Sequence, residues 1–443
     1  MFVQTKLPGE ERDVLLVDTF PATRVHKNPD NLINIGLEYA ATAMNADVIH
    51  WKETVDISKY RLIGFNVMYL TYTLNIAPFL RRHKVGILRD ERDSHEIIVG
   101  GPGATNINNA LGNIVDSTFY GEIDGHFHDD SGFHRSLVID SPAVMKGSGA
   151  VVEIARGCKH RCTFCEYGHV LGGRYREKDI ELVKSQVLQC SKRTKNITLR
   201  TANLAGYSEL DELLGFCVKH KISQRWSDVA ILDAEKILPW MKALHLYTPK
   251  IGVESFDEAT RKAVGKGFDD EYLEEILKEV LSKCSTIHLY LIYGLPNDNY
   301  ENWFLWAERL AKLREQFSHK IRIDFSITNF SPCPGTPLSH APQIDFAKKA
   351  KFLERWVTTL KSLGFYKADW EVKPGNDFGR FGRKQLSHEM TELIRTAGPE
   401  ILTGKLTESL PFGVERSIID RYAKRFLEYN GETMRGNIVR DRE

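Results

Sequence analysis

Short apolar runs alternate with helical segments through roughly the first 340 residues of this 443-residue chain. A strand followed by a helix and another strand must return by a crossover, so the alternation specifies parallel sheets. In the first block, residues 13–20 (DVLLVDTF), 60–67 (YRLIGFNV), 96–99 (EIIV) and 117–120 (STFY) read as strands. Residues 31–44, 74–83 and 108–114 carry helical periodicity. Residues 1–125 are therefore expected to form a doubly wound, Rossmann-like parallel sheet. Residues 126–149 show no period and are read as a linker.

From residue 150 a second series begins. Strand-like runs lie at 151–155, 196–201, 222–229, 250–254, 286–293 and 321–329, with helices between them at 181–190, 234–244, 270–283 and 299–314. Six strand–helix units predict a partial TIM-like barrel over 150–340, because eight would close it. In such barrels the chemistry collects where the strands end. An amphipathic helix at 345–363 opens a C-terminal region, 341–443, expected to be mostly helical. That region holds a Gly-rich basic loop at 373–384, which ordinary solvated loops and nucleotide-contacting loops both resemble.

Composition removes several classes. The chain is 42% apolar and 27% charged, as globular proteins are, and 60 basic against 59 acidic residues leave a net charge of +1. That balance disfavours a nucleic-acid coat. The longest uncharged stretch, 62–80, is broken by Gly64, Asn66 and Pro78, so a membrane span is not expected. The N-terminal segment lacks the apolar core of a secretory signal, and a cytoplasmic location is expected.

Of seven cysteines, three fall in ARGCKHRCTFC at 155–165, directly after the first barrel strand. Cys158, Cys162 and Cys165 have C-x3-C-x2-C spacing, and thiolates are the usual ligands of iron–sulfur clusters. Zinc takes four ligands, for which His160 or His169 would have to supply the last. A cubane held by three thiolates leaves one iron open.

This loop, at the end of the first of six barrel strands, resembles that of the radical S-adenosylmethionine (SAM) superfamily. Further matches follow in order: GVES at 252–255 with a later KG at 266–267, GLP at 294–296, and PCPGTPL at 332–338. The resemblance implies a [4Fe-4S] cluster on Cys158, Cys162 and Cys165. It also implies SAM at the open iron, reductive cleavage to a 5′-deoxyadenosyl radical, and hydrogen abstraction from a substrate. By position it implies SAM contacts from Phe164, Glu254, Ser255, Arg200, Ser227, Gly294, Leu295 and Pro334. A reducing partner such as flavodoxin or ferredoxin and a small-molecule or nucleotide substrate are implied, and a nucleic-acid partner is not favoured.

Residues 12–125 resemble the cobalamin-binding-type domain fused to many members of that superfamily. Asn66, Gly100, Gly101, Thr105 and Glu122 stand where such a domain meets its corrinoid. The D-x-H-x-x-G signature that supplies an axial His is absent; Asp18 and His26 lack its spacing. Three functions follow from these residues. The first is cobalamin-dependent C-methylation. The second is a rearrangement, cyclisation or other radical modification with a vestigial N-terminal domain. The third is a non-catalytic iron–sulfur or zinc module.

Overall fold

The computed structural model describes residues 12–19, 35–68, 73, 75–104, 111, 114–123, 133–134, 139–146, 149–171, 174–223, 228–246, 249–317, 321–330, 332, 335–342 and 346–365. The chain divides into two compact units, the first containing the residues up to Leu137 and the second Val138–Val372.

In the first unit, strands β1 (Val14–Asp18), β2 (Asp47–His50), β3 (Leu62–Asn66), β4 (Glu96–Gly100) and β5 (Ser117–Thr118) form one sheet in the order β2-β1-β3-β4-β5. Every pairing is parallel. This is a flavodoxin-like order, with the topological switch between β1 and β3. All five β1 residues are buried because both sheet faces are covered. Leu15, Val17, Ile63, Phe65, Ile97 and Val99 face helix α2 (Ile76–Arg82) with Phe79 and Leu80. Val14, Leu16 and Leu62 face Leu37 of helix α1 (Ile35–Ala43). A short ladder joins β6 (Tyr120–Gly121) to β7 (Phe133–His134).

In the second unit, β8 (Val144–Lys146) runs antiparallel to β9 (Gly149–Glu153), which pairs in parallel with β12 (Ile197–Arg200). The strands β13 (Asp228–Ala230), β14 (Lys250–Glu254), β15 (Thr286–Tyr293) and β16 (Arg322–Asn329) form a parallel sheet. A single parallel bridge, Asn196–Ser223, continues from β12 toward β13. These six parallel strands make the partial barrel. Between β9 and β12, the antiparallel pair β10 (Ala155–Arg156) and β11 (Arg176–Glu177) closes the cysteine-bearing excursion at its base.

The helices α3 (Ile180–Ser191), α5 (Glu258–Ala263), α6 (Asp270–Leu281) and α7 (Tyr300–Glu315) start where an Asp or Asn accepts free backbone N–H groups. Those caps are Asp179, Asp257, Asp269 and Asn299. Helix α4 (Leu210–Lys219) follows β12, and α8 (Phe346–Ser362) packs on α7. Trp303 and Trp306 of α7 and Trp356 of α8 are fully buried, with Phe256 and Phe325 against them. That aromatic wedge backs the ends of β14 and β15.

Four expectations need correction. The supposed linker, 126–149, contains β7 and β8; both are too short for periodicity to register. The edge strand β2 went unread because all four of its residues are half-buried, without alternation. The third barrel strand is only Asp228–Ala230 among the described residues. At 234–244 there is no α-helix: a 3-10 turn over Ile231–Lys236 gives way to irregular turns, because Pro239 has no N–H to continue a ladder. Residues 366–443, with the Gly-rich basic loop, lie outside the described residues. No described helix is long and apolar enough to cross a membrane.

Candidate active site

The cysteine loop leaves β10 through Gly157, whose φ of +83° suits glycine, and the Gly157 N–H donates to the Tyr167 hydroxyl at 3.1 Å. Cys162 is buried, while Cys158 and Cys165 are half-buried. The loop is fastened at several points. Thr163 donates its N–H to Val264 O at 3.0 Å, and its carbonyl accepts from Leu338 N at 3.3 Å. Gly168 N–H donates to the Cys165 sulfur at 3.4 Å. The fourth and sixth strand ends therefore border the same loop.

Glu254 ends β14 in a left-handed conformation, φ +67°, beside a register shift between Gly252 and Glu254. That backbone is strained for a non-glycine residue, a feature concentrated at functional sites. A Cβ on Gly252 would come within 2.5 Å of Glu254 Oε1, so glycine leaves room for the carboxylate to fold back. There it meets Lys266 Nζ at 3.0 Å, and Lys266 also donates to Gly252 O at 3.2 Å.

Burial raises the Cys162 thiol to about 11; the Lys266 ammonium pulls it down, and Glu254, Cys165 and Cys158 push it further up. Burial likewise raises Cys158, while the His160 backbone N–H favours its thiolate. Burial opposes the Lys266 charge, yet Glu254 and the Cys162 and Cys158 thiols hold its pKa above the ordinary lysine value. Three thiolates gathered here need compensating positive charge, and Lys266 supplies part of it.

Among the described residues, no three His, Cys, Asp or Glu side chains converge on a single ion. A mononuclear zinc site needs sulfurs about 3.8 Å apart at a Zn–S distance of about 2.3 Å. A cubane instead places each Cys on a different iron. The two histidines weighed as zinc ligands are otherwise engaged. His160 Nε2 lies 2.7 Å from Asp233 Oδ2, and His169 Nε2 lies 3.2 Å from Cys162 O. The donor set fits a [4Fe-4S] cluster.

The remaining expected SAM residues divide. Phe164 is half-buried within the loop, and Arg200 is exposed at the end of β12. Gly294, φ +95°, follows β15 and donates its N–H to the Tyr300 hydroxyl at 2.9 Å; Leu295 is buried. Ser255 is fully buried, and its hydroxyl is committed. It donates to Asp298 Oδ1 at 2.7 Å and accepts from Asp257 N at 2.9 Å. Ser255 thus braces the strand end from behind. Ser227 and Pro334 lie outside the described residues. Lys266 and Asp298 were not singled out beforehand: Lys266 is visible only as part of the KG dipeptide, and Asp298 has no sequence signal.

In the first unit, Asn66, Gly100 and Gly101 come together where β3 and β4 end. Gly101 has φ +99°, and a Cβ there would meet Asn66 Oδ1 at 2.7 Å and Val67 O at 2.8 Å. Asn66 Nδ2 is buried with no hydrogen-bond partner among the described residues. Glu122 follows β6 and is half-buried. Thr105 lies outside the described residues.

Residues 152–310 match the family model described as "Radical SAM superfamily". The segment that carries the cysteine site is thus similar to the radical SAM superfamily, which supports an enzyme with a [4Fe-4S] cluster and SAM. The ribosomal protein uS12 methylthiotransferase RimO of Synechococcus sp. is 26% identical over 218 residues, which is 44% of each chain. The bacteriochlorophyllide d C-12(1)-methyltransferase of Chlorobaculum tepidum is 23% identical over 217 residues, 46% of this chain and 44% of its own. The chain thus spans less than half the length of these relatives. Among solved structures, the fold is similar to the radical SAM methyltransferase TsrM from Kitasatospora setae, solved with cobalamin and a [4Fe-4S] cluster. That likeness has a TM-score of 0.55 and 12% identity, covering 74% of this chain and 77% of that one. It is also similar to the cobalamin-dependent radical enzyme OxsB, with a TM-score of 0.52 and 14% identity, covering 79% of this chain and 56% of the other.

The pocket behind Ser255 gives a pH prediction. Burial raises the Asp298 carboxyl to about 7, against hydrogen bonds from Ser255 and Trp303 that favour its charge. The folded chain then holds a proton that the unfolded chain releases near pH 4. Stability is full below that unfolded value and falls as pH rises toward 7. Asp298→Asn should flatten this loss and stabilise the chain at pH 8 by on the order of 1–3 kcal/mol, since one pKa unit is worth about 1.4 kcal/mol. Thermal melts of both proteins between pH 5 and 8 check it.

Proposed function

We propose that the chain is a cobalamin-dependent radical SAM methyltransferase acting at an unactivated carbon of a small molecule or nucleotide, with electrons from a flavodoxin- or ferredoxin-like donor. The observation that carries this reading is the strand-end platform of the first unit. Its flavodoxin-like sheet ends at Gly101, where a side chain would collide with Asn66, and at an Asn66 amide donor that is buried and has no partner among the described residues. A buried donor left for a ligand at the strand ends suits a corrinoid with amide side groups. The platform supplies no axial His of the D-x-H-x-x-G type, so the corrinoid would be held by the strand ends themselves. The solved relatives of similar fold are described with cobalamin, which supports the assignment.

When bound, the cluster supplies one-electron reduction of SAM. The chain's own residues do the rest. Cys158, Cys162 and Cys165 hold the cluster, and Lys266 offsets negative charge beside it. Glu254, fixed by Lys266 in a left-handed turn, presents an acceptor to the ribose hydroxyls of SAM. Gly294, Leu295 and the loop ending at Leu338 border the adenine side, with Phe164 in the cluster loop. Arg200, Ser227 and Pro334 complete the proposed set by position. Glu254→Ala should weaken SAM binding roughly tenfold to a hundredfold, the value of a hydrogen bond to a charged group. Iron content should stay unchanged. Equilibrium binding of SAM to the iron-loaded variant measures the effect.

The function itself is tested by anaerobic purification from cells grown with cobalamin, followed by iron and cobalt analysis. One cobalt with four irons per chain supports methylation, and Gly101→Val should then lose cobalt while keeping iron. Four irons without cobalt contradict it and favour a vestigial first unit serving a different radical reaction.

A further inference from the structure

Two of the three residues that separate Cys158 from Cys162 are pinned to other strand ends of the barrel. Lys159 Nζ donates to Gly206 O at 2.6 Å, in the turn after β12. His160 Nε2 meets Asp233 Oδ2 at 2.7 Å, in the 3-10 turn after β13. Asp233 is itself held in place. Asn203 Nδ2 donates to the same Oδ2 at 2.7 Å, and Lys236 Nζ reaches Oδ1 at 2.9 Å. Asn203 Oδ1 accepts the Ala230 N–H at 3.0 Å, which locks the amide's orientation. Burial opposes the Asp233 charge, but these donors more than offset it and keep Asp233 ionised. An ionised carboxylate only accepts, so the shared proton sits on Nε2 of His160.

We propose that Asp233, with Asn203, is a positioning residue for the cluster: through His160 it fixes the loop segment between Cys158 and Cys162, and so governs how firmly the cluster is held. The geometry places that anchor inside the ligand loop. His160 lies midway between two cysteines, and its side chain is only a quarter exposed. Hydrogen bonds to cluster sulfurs, and the outer contacts that orient ligand loops, tune both affinity and potential. Among the described residues Asp233 is hydrogen-bonded to His160, Asn203 and Lys236 and to no cysteine, so its hold on the loop runs through the imidazole.

The inference rests on the cluster assignment, and its test separates the two. Iron-loaded wild type, Asp233→Ala, His160→Ala, His160→Gln and the Asp233→Ala/His160→Ala double variant are exposed to an iron chelator under anaerobic conditions. The electron paramagnetic resonance spectrum of each reduced, SAM-free cluster is recorded. Asp233→Ala and His160→Ala should each release iron about tenfold faster, as loss of a charge-assisted hydrogen bond implies. The double variant should be no faster than the quicker single, because one contact is lost in all three. His160→Gln, which retains a donor toward Asp233, should return to within about twofold of wild type and restore its g values. A purely structural role would not move and then restore those g values. Wild-type iron release with unchanged spectra in both alanine variants overturns the proposal, as do losses that multiply in the double variant. A wild-type chain that never takes up four irons overturns the cluster assignment and this proposal with it.

Discussion

Replacing any one of Cys158, Cys162 and Cys165 with alanine should abolish cluster binding and, with it, reductive cleavage of SAM. The reason is the small number of ligands. A cubane held by three thiolates has no spare protein donor, so losing one leaves two irons without protein ligation. Among the described residues the two nearby histidines are engaged elsewhere, since His160 is held by Asp233 and His169 faces the Cys162 carbonyl. The contrast is with Cys190, Cys217 and Cys284, which are buried away from the loop in or just after helices. Burial raises the Cys217 thiol to about 12 and that of Cys284 to about 11, as expected of inert core thiols. Cys190→Ala should therefore keep full iron. Iron and sulfide analysis of anaerobically reconstituted variants reads both results.

Arg261→Met should destabilise the chain by about 3 kcal/mol, the penalty for breaking a buried ion pair by removing one partner. Arg261 is fully buried beneath the end of β14. One arm pairs with Asp270, the other donates to Ser255 O at 3.1 Å, and the guanidinium lies 5.0 Å from the Phe268 ring centre. Its own carbonyl accepts the Lys266 N–H at 2.8 Å, which ties this support to the cation beside the cysteines. Asp270 keeps Trp306 Nε1 at 3.1 Å and Arg309 at 3.4 Å, so it is not left bare. For a unit of this size the loss corresponds to a fall of roughly 6–12 °C in melting temperature. A variant melting with the wild type would show that Arg261 is dispensable to the strand end.

Much of the architecture was legible in the sequence because the strands carry apolar or β-branched residues at their buried positions, which alternate with half-buried ones in β14 and β15. The run at 286–293 became β15 with the same bounds, and 250–254 became β14. Legibility failed where burial is partial or the element short. Strand β2 is half-buried throughout, and β8 has only three residues. The cysteine motif could be read because ligand spacing within one loop is a local property. The partners of the Ser255 hydroxyl left no signal in the sequence. Its neighbours Asp298 and Trp303 lie more than forty positions away and are brought up by β15 and α7. The Asp233–His160 contact joins residues 73 positions apart and leaves no pattern in the sequence. Lys266 lies in between: its dipeptide is visible, but only the left-handed turn at Glu254 shows what its charge is for.

The central claim is that this loop and its surroundings form a radical SAM centre. The most direct measurement is anaerobic reconstitution of the wild-type chain, reduction, and addition of SAM, with iron analysis and chromatography of the nucleoside products. The account predicts four irons per chain, a cluster spectrum altered by SAM, and formation of 5′-deoxyadenosine. A chain that takes up one zinc and no iron, or a complete cluster whose spectrum SAM leaves unchanged and which never cleaves it, would contradict the account.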